Sequence, residues 1–326
     1  MLGVFLSAAG RGFIMRHHSS RGIFAIAFGL LAVATTAQAG NESWVSATGT
    51  NTGTCPITAP CRTFQFAHDQ TNNNGAINVL TSGNYGPLTI SKPISIVADG
   101  VEAVINSGAN GAGIIVQAGA NAIVSLRGLS IDLRGTANTG INFVSGAALH
   151  VQNCVIRRSV DGIRFVPASG TSELYVADSV VAGANNYGIE VSPTGSGGAT
   201  AVLERVRVEK ASSIGIAFFS NNTTGSITAT VRDSVAAGSG GNSGISAFGG
   251  GGGTTNVMID RSASVNNSTG IGAGGAGTTV RIGDSTVSGN AVGLGIGSGG
   301  VIASYGTNKV NGNTVDGVTP TPVAMK

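Results

Sequence analysis

The most regular feature of the chain is a glycine followed by an aliphatic residue, a variable residue and then a second apolar site. The glycine pair recurs at Gly113-Ile114, Gly140-Ile141, Gly162-Ile163, Gly188-Ile189, Gly215-Ile216, Gly244-Ile245, Gly270-Ile271, Gly293-Leu294 and Gly317-Val318, so successive glycines stand 22 to 29 residues apart. The second apolar site is Phe143, Phe165, Val191, Phe218, Ala247, Ala273 or Ile296. Another column keeps the same pace. Leu126, Val151, Val176, Leu203, Val231, Ile259, Ile282 and Tyr305 each open a short segment, with Ile131, Ile156, Val181, Val208, Ala236, Ser264, Val287 and Val310 five positions on. Alternation with a period of two belongs to a pleated strand with one buried face. Helices do not fit, because the segments are short, rich in β-branched residues and interrupted by Gly.

One repeat every 22 to 29 residues means one coil per repeat. Each coil covers the apolar face of the one before, at about 4.8 Å per step, so equivalent side chains form ladders. The repeat glycines are expected to supply the left-handed backbone of tight turns.

Carried by these columns, and by segments such as V-A-D-S-V-V-A-G-A-N-N-Y-G-I-E-V and V-R-D-S-V-A, the chain resembles the parallel β-helix proteins of the pectin-lyase-like superfamily over about residues 76–318. The segment P-C-R-T-F-Q-F-A-H, followed by I-N-V-L-T-S-G-N-Y-G-P-L-T-I-S-K-P-I-S-I-V-A-D-G, is similar to the capping helix and first coils of that family. The resemblance implies an all-β fold, a right-handed parallel β-helix of about nine to ten coils with a short N-terminal capping helix. Phe64, Phe66 and Ala67 would then cover the open strand edges at that end. It also implies stacked Asn turns, with Asn185, Asn267 and Asn290 three residues before a repeat glycine and Asn313 four before.

Composition supports a folded chain. With 53 Gly, 10% charged residues and a mean hydropathy of +0.27, it lacks the signature of disorder, and without a G-X-Y period it is not collagen. Arg11, Arg16 and Arg21 precede Gly40 and no acidic residue does, so the 18 Lys plus Arg and 15 Asp plus Glu of the chain reduce to 15 of each after Ala39. A neutral chain does not suit nucleic acid, whose binders keep a basic face.

Residues 1–39 read as a secretory signal peptide. Arg16 and Arg21 precede the apolar run Ile23 to Val33 and the small-residue site A-Q-A, with Met15 expected as the true start. The run is too short for a stable membrane span, which takes about 20 apolar residues. The expected organisation is therefore signal peptide 1–39, N-terminal cap with a disulfide loop 40–75, β-helix 76–318 and polar tail 319–326. Export places the protein in the periplasm or outside the cell.

In that compartment Cys55 and Cys61, in C-P-I-T-A-P-C, are expected to form a disulfide in preference to two free thiols. Zinc is disfavoured by the lack of a second ligand pair. Cys154 is left over and is expected to be buried.

The column Gly128, Asn153, Asp178, Arg205, Asp233, Arg261, Asp284 and Thr307 alternates in sign over its middle five members and reads as a charge ladder between coils. His68 and His150 have no partner at metal-ligand spacing and read as packed or surface residues. Arg157, Arg158 and Arg164 read as a solvated turn rather than a basic patch. Sequence motifs expected of a polygalacturonase, a calcium-dependent pectate lyase, an alginate epimerase or a calcium β-roll are missing, so no cofactor or metal site is assigned. Asp132, Asp161, Asp178 and Glu190 are the acids that stacking would bring toward one groove. The reading is an exported, non-catalytic β-helix that binds polysaccharide or a cell-surface partner. The alternative is a carbohydrate-active enzyme, a polysaccharide lyase on uronic-acid polymers. Exposed aromatic platforms beside clustered carboxylates would favour the alternative, and a face of Ser, Thr, Asn and Gly the first reading.

Overall fold

A computed structural model of the protein describes residues 40–134 and 138–324; the expected signal peptide and its start at Met15 lie outside the described residues. These residues form a parallel β-solenoid of about nine turns with one helix. Three parallel sheets of twelve, ten and ten strands run the length of the stack. They are here called A, B and C. One coil runs through Thr171–Ala177 in sheet A, Val180–Ala182 in sheet B and Ile189–Val191 in sheet C, and the next begins at Gly198–Glu204 beside the first.

The ladders follow the sequence columns. Leu126, Val151, Val176, Leu203, Val231, Ile259 and Ile282 oppose one another in turn across sheet A. In sheet C, Ile114, Ile141, Ile163, Ile189 and Ile216 do the same and are fully buried. The last coil departs from the expected register. Ile282 opposes Ser304 rather than Tyr305, because the following corner holds one more residue before Asn308 and Val310 fall back into place. Leu294 likewise opposes Gly317, which is therefore not a member of the repeat-glycine column.

The role expected of the repeat glycines also needs correcting. Gly113, Gly140, Gly162, Gly188, Gly215, Gly244, Gly270 and Gly293 do not have positive φ. What they lack is room: a Cβ on Gly188 would stand 2.5 Å from the Gly215 carbonyl oxygen and closer still to Val208 Cγ1. Left-handed backbone is found instead at the corner between sheets A and B, where Asn153, Asp178, Arg205, Asp233, Arg261 and Asp284 have φ between 44° and 51°, and again after the sheet B strands at Arg158, Gly183, Lys210, Gly238, Asn266 and Gly289. Asn and Asp tolerate this geometry, while Arg does so less readily. Arg205 spans to Asp178 at 2.6 and 3.0 Å, and Arg261 to Asp233 at 2.9 Å through each of two nitrogens. The alternating charges are thus used on one another, about half exposed to solvent.

Two buried polar ladders satisfy backbone groups at the corners, where sheet hydrogen bonds stop. Ser179, Ser234, Ser262 and Ser285 each accept, through Oγ, the N–H of Cys154, Val206, Ser234 and Ser262 on the coil before. Asn290 Oδ1 accepts from Asn267 N–H at 2.9 Å, and Asn313 Oδ1 from Asn290 N–H at 3.0 Å. Asn185, expected in this series, is exposed and takes no part in it.

At the N-terminal end the helix α1 (Phe64–Gln70) starts at Thr63, whose Oγ1 accepts from Phe66 N–H. Phe64 and Ala67 are buried and Phe66 packs partly against the core. Gly40–Val45 pairs in parallel with Thr71–Val79, so sheet A begins within the 40–75 segment. Cys55 and Cys61 form a disulfide, with Cα atoms 5.0 Å apart, and both are buried. Cys154 is a buried free thiol, pushed up to about 11 by burial.

His68 ties α1 to the first coils. Its Nε2 accepts from Ser91 N–H at 3.3 Å, which leaves Nδ1–H to donate to Asp69 at 2.9 Å. Burial lowers its pKa, and nearby Lys92 adds to the effect, while Asp69 opposes it. The folded chain therefore binds fewer protons here than the unfolded one, and the stabilisation is complete above the ordinary histidine pKa of about 6.5 and lost as pH falls below it. The difference in melting temperature between the native protein and His68→Gln should accordingly shrink from pH 7.5 to pH 5. A difference that stays constant would remove His68 from the pH dependence.

Candidate functional site

In Thr139–Ser145, Ile163–Phe165 and Ile189–Val191 the pleat sends Ile and Phe or Val inward and one polar residue outward. Register lines up the outward residues as Asn142, Arg164, Glu190, Ala217 and Ser246 on successive coils of sheet C. Arg164 Nε donates to Glu190 Oε2 at 3.2 Å. Asp161, on the corner leading into this sheet, accepts at Oδ1 from Asn186 Nδ2 at 3.0 Å and from Tyr187 N–H at 3.2 Å.

Although it points away from the core, this face is not open. Glu190 is only 7% exposed, Asp161 6% and Ala217 0%. The cover is aromatic. Tyr187 comes from the start of its strand and Phe219 from the end of the next, and their rings meet edge to face with centroids 5.5 Å apart. Phe248 follows Phe219 at 5.9 Å. Three successive coils therefore each contribute one half-buried ring. The Oγ of Ser246 and the Oδ1 of Asn142 are buried and make no hydrogen bond.

Burial raises the pKa of Glu190; Arg164 opposes the shift and the charge of Asp161 adds to it. Tyr187 is raised too, by burial first and then by Glu190 and Asp161. Chemically the face offers two acids, one of them paired with a guanidinium, and a row of aromatic rings.

Of the four acids singled out from the sequence, Asp161 and Glu190 lie on this face. Asp132 is on an earlier coil, where Arg158 binds both its oxygens and holds its carboxyl below the usual carboxylate range. Asp178 is on the corner between sheets A and B, paired with Arg205. Arg164 and Arg158 are thus each taken by an acid, and no basic patch forms from the Arg157, Arg158 and Arg164 group. His150 lies on the outer face of sheet A, edge-on to Tyr175 at 6.0 Å, beside a shallow cavity of about 430 Å³ that Glu173 and Gln152 also line. Among the described residues no three His, Cys, Asp or Glu side chains gather as metal ligands, and no helix is long and apolar enough to cross a membrane. Sequence reading missed the aromatic row. The available signal was that Phe219 and Phe248 each follow the inward residue of consecutive repeats.

No protein-family model matches the chain, and no curated protein matches it. Among solved structures the chain is similar to the crystal structure of pectate lyase Pel9A, with a TM-score of 0.57 and 14% identity, over 87% of this chain and 77% of that one. At that identity the likeness shows the fold alone, a parallel β-helix.

Proposed function

We propose that this chain is an exported β-helix that binds polysaccharide along the outer face of sheet C. The observation that carries the reading is the row Tyr187, Phe219 and Phe248, one ring per coil, beside half-exposed Arg164 and the buried acids Glu190 and Asp161. Rings of this kind stack on the apolar faces of sugar units, and fixed polar groups set the orientation. The fold shared with a pectate lyase and the disulfide, which forms and persists in oxidising compartments, agree with it.

Affinity electrophoresis through gels containing single polysaccharides tests the reading. The native chain should be retarded by at least one polymer, and Tyr187→Ala or Phe219→Ala should weaken that binding about tenfold, equivalent to about 1.4 kcal/mol. Retardation unchanged by either variant would move the site elsewhere.

A second reading, cleavage of the bound polymer, is favoured by one specific feature: Glu190 and Asp161 lie together beside the aromatic layer. If it holds, the same polymers should yield new reducing or unsaturated ends, and Glu190→Gln should lower the rate at least a hundredfold. Retardation without new ends leaves the binding reading alone.

A further inference from the structure

We infer that the glycan held on this face is a neutral one rather than a uronate polymer, an inference that rests on the polysaccharide-binding reading above. A uronate chain carries one negative charge per sugar and needs cations where it lies. Among the described residues on the strands of sheet C the only cation is Arg164, and Glu190 already accepts from it at 3.2 Å. Asp161 adds a second acid, close enough to Glu190 to influence its titration. On the corner that carries Asp161, Arg158 is bound to Asp132, so what remains beside the face is one guanidinium, Arg164, against the two acids. An incoming carboxylate would meet like charge in a partly desolvated setting, where repulsion is strong.

On the next three coils the outward positions carry no charge. The outward positions become Ala217, Ser246 and Gly272, and the ring row continues with Phe248. Hydroxyl-rich, uncharged sugar rings suit both halves. Their apolar faces lie on the rings, and their hydroxyls call for no neutralising cation.

The test compares hydroxyethyl cellulose, arabinoxylan and galactomannan with polygalacturonate and alginate, each with and without calcium, for the native chain, Phe219→Ala and the double variant Asp161→Asn with Glu190→Gln. The expected result is that a neutral polymer is bound at least tenfold more tightly than either uronate, that Phe219→Ala weakens it, and that the double variant gains affinity for polygalacturonate at least fivefold. If the double variant does not melt cooperatively, Glu190→Gln alone makes the comparison. Polygalacturonate bound more tightly than every neutral polymer, still through Phe219, would overturn the inference while the binding reading stands. A native chain that none of the five polymers retards would overturn both.

Discussion

Replacing Gly188 by alanine is expected to cost about 3 kcal/mol of stability, the upper end for forcing extra volume into a packed core. The backbone conformation is not the cause, since Gly188 lacks positive φ. The new Cβ would meet two neighbours at once, both on the next coil: Val208 Cγ1 and the Gly215 carbonyl oxygen, the latter 2.5 Å away. The side chain can be shortened but the carbonyl belongs to the sheet ladder. Val208→Ala should therefore recover only part of the loss in the double variant, a coupling that a thermodynamic cycle reads directly. Gly119→Ala serves as control, because nothing lies within 4 Å of its Cβ and its φ is not positive; it should change stability by no more than about 0.5 kcal/mol. Urea unfolding of the four variants decides the matter. Equal losses at Gly188 and Gly119 would show that close stacking is not what places glycine in the repeat.

Truncating Phe165 to alanine should cost about 3–5 kcal/mol. Its ring lies on Phe143 of the preceding coil, centroids 4.3 Å apart and nearly parallel, and both rings are fully buried. Deletion removes apolar burial, leaves a cavity and takes away a stacked partner, and the next coil offers only Val191 at that place to fill the gap. Phe165→Leu should lose less than half as much, because most of the volume stays. A loss under about 1 kcal/mol for the alanine variant would mean that the column is not the continuous core that the register implies.

The inward columns were legible in the sequence because one physical pressure, burial at every second position, acts identically on each coil. Ile141, Ile163 and Ile189 repeat for that reason and pair as their spacing suggests. The last coil misled because a single extra residue in a corner is invisible to spacing alone; Tyr305 is as apolar as the serine that takes its place in the ladder is small. Glycine misled differently. The residue answers two demands, left-handed backbone and lack of a side chain, and only coordinates reveal that the repeat glycines meet the second while Asn153, Asp178 and Arg205 meet the first. For the candidate site, the sequence proposed four acids for one groove, but charge pairing with Arg158 and Arg205 holds Asp132 and Asp178 at other corners. The aromatic row escaped notice because Tyr187 and Phe219 stand at opposite ends of adjacent strands and come together only through the reach of their side chains.

The claim that polysaccharide lies on the outer face of sheet C is tested most directly by hydrogen–deuterium exchange of the native chain with and without a retarded polymer. Added protection should fall on the segments around Tyr187 to Ser192, Ala217 to Ser220 and Ser246 to Gly249. Protection centred instead on His150 and Tyr175, across the stack on sheet A, would contradict it.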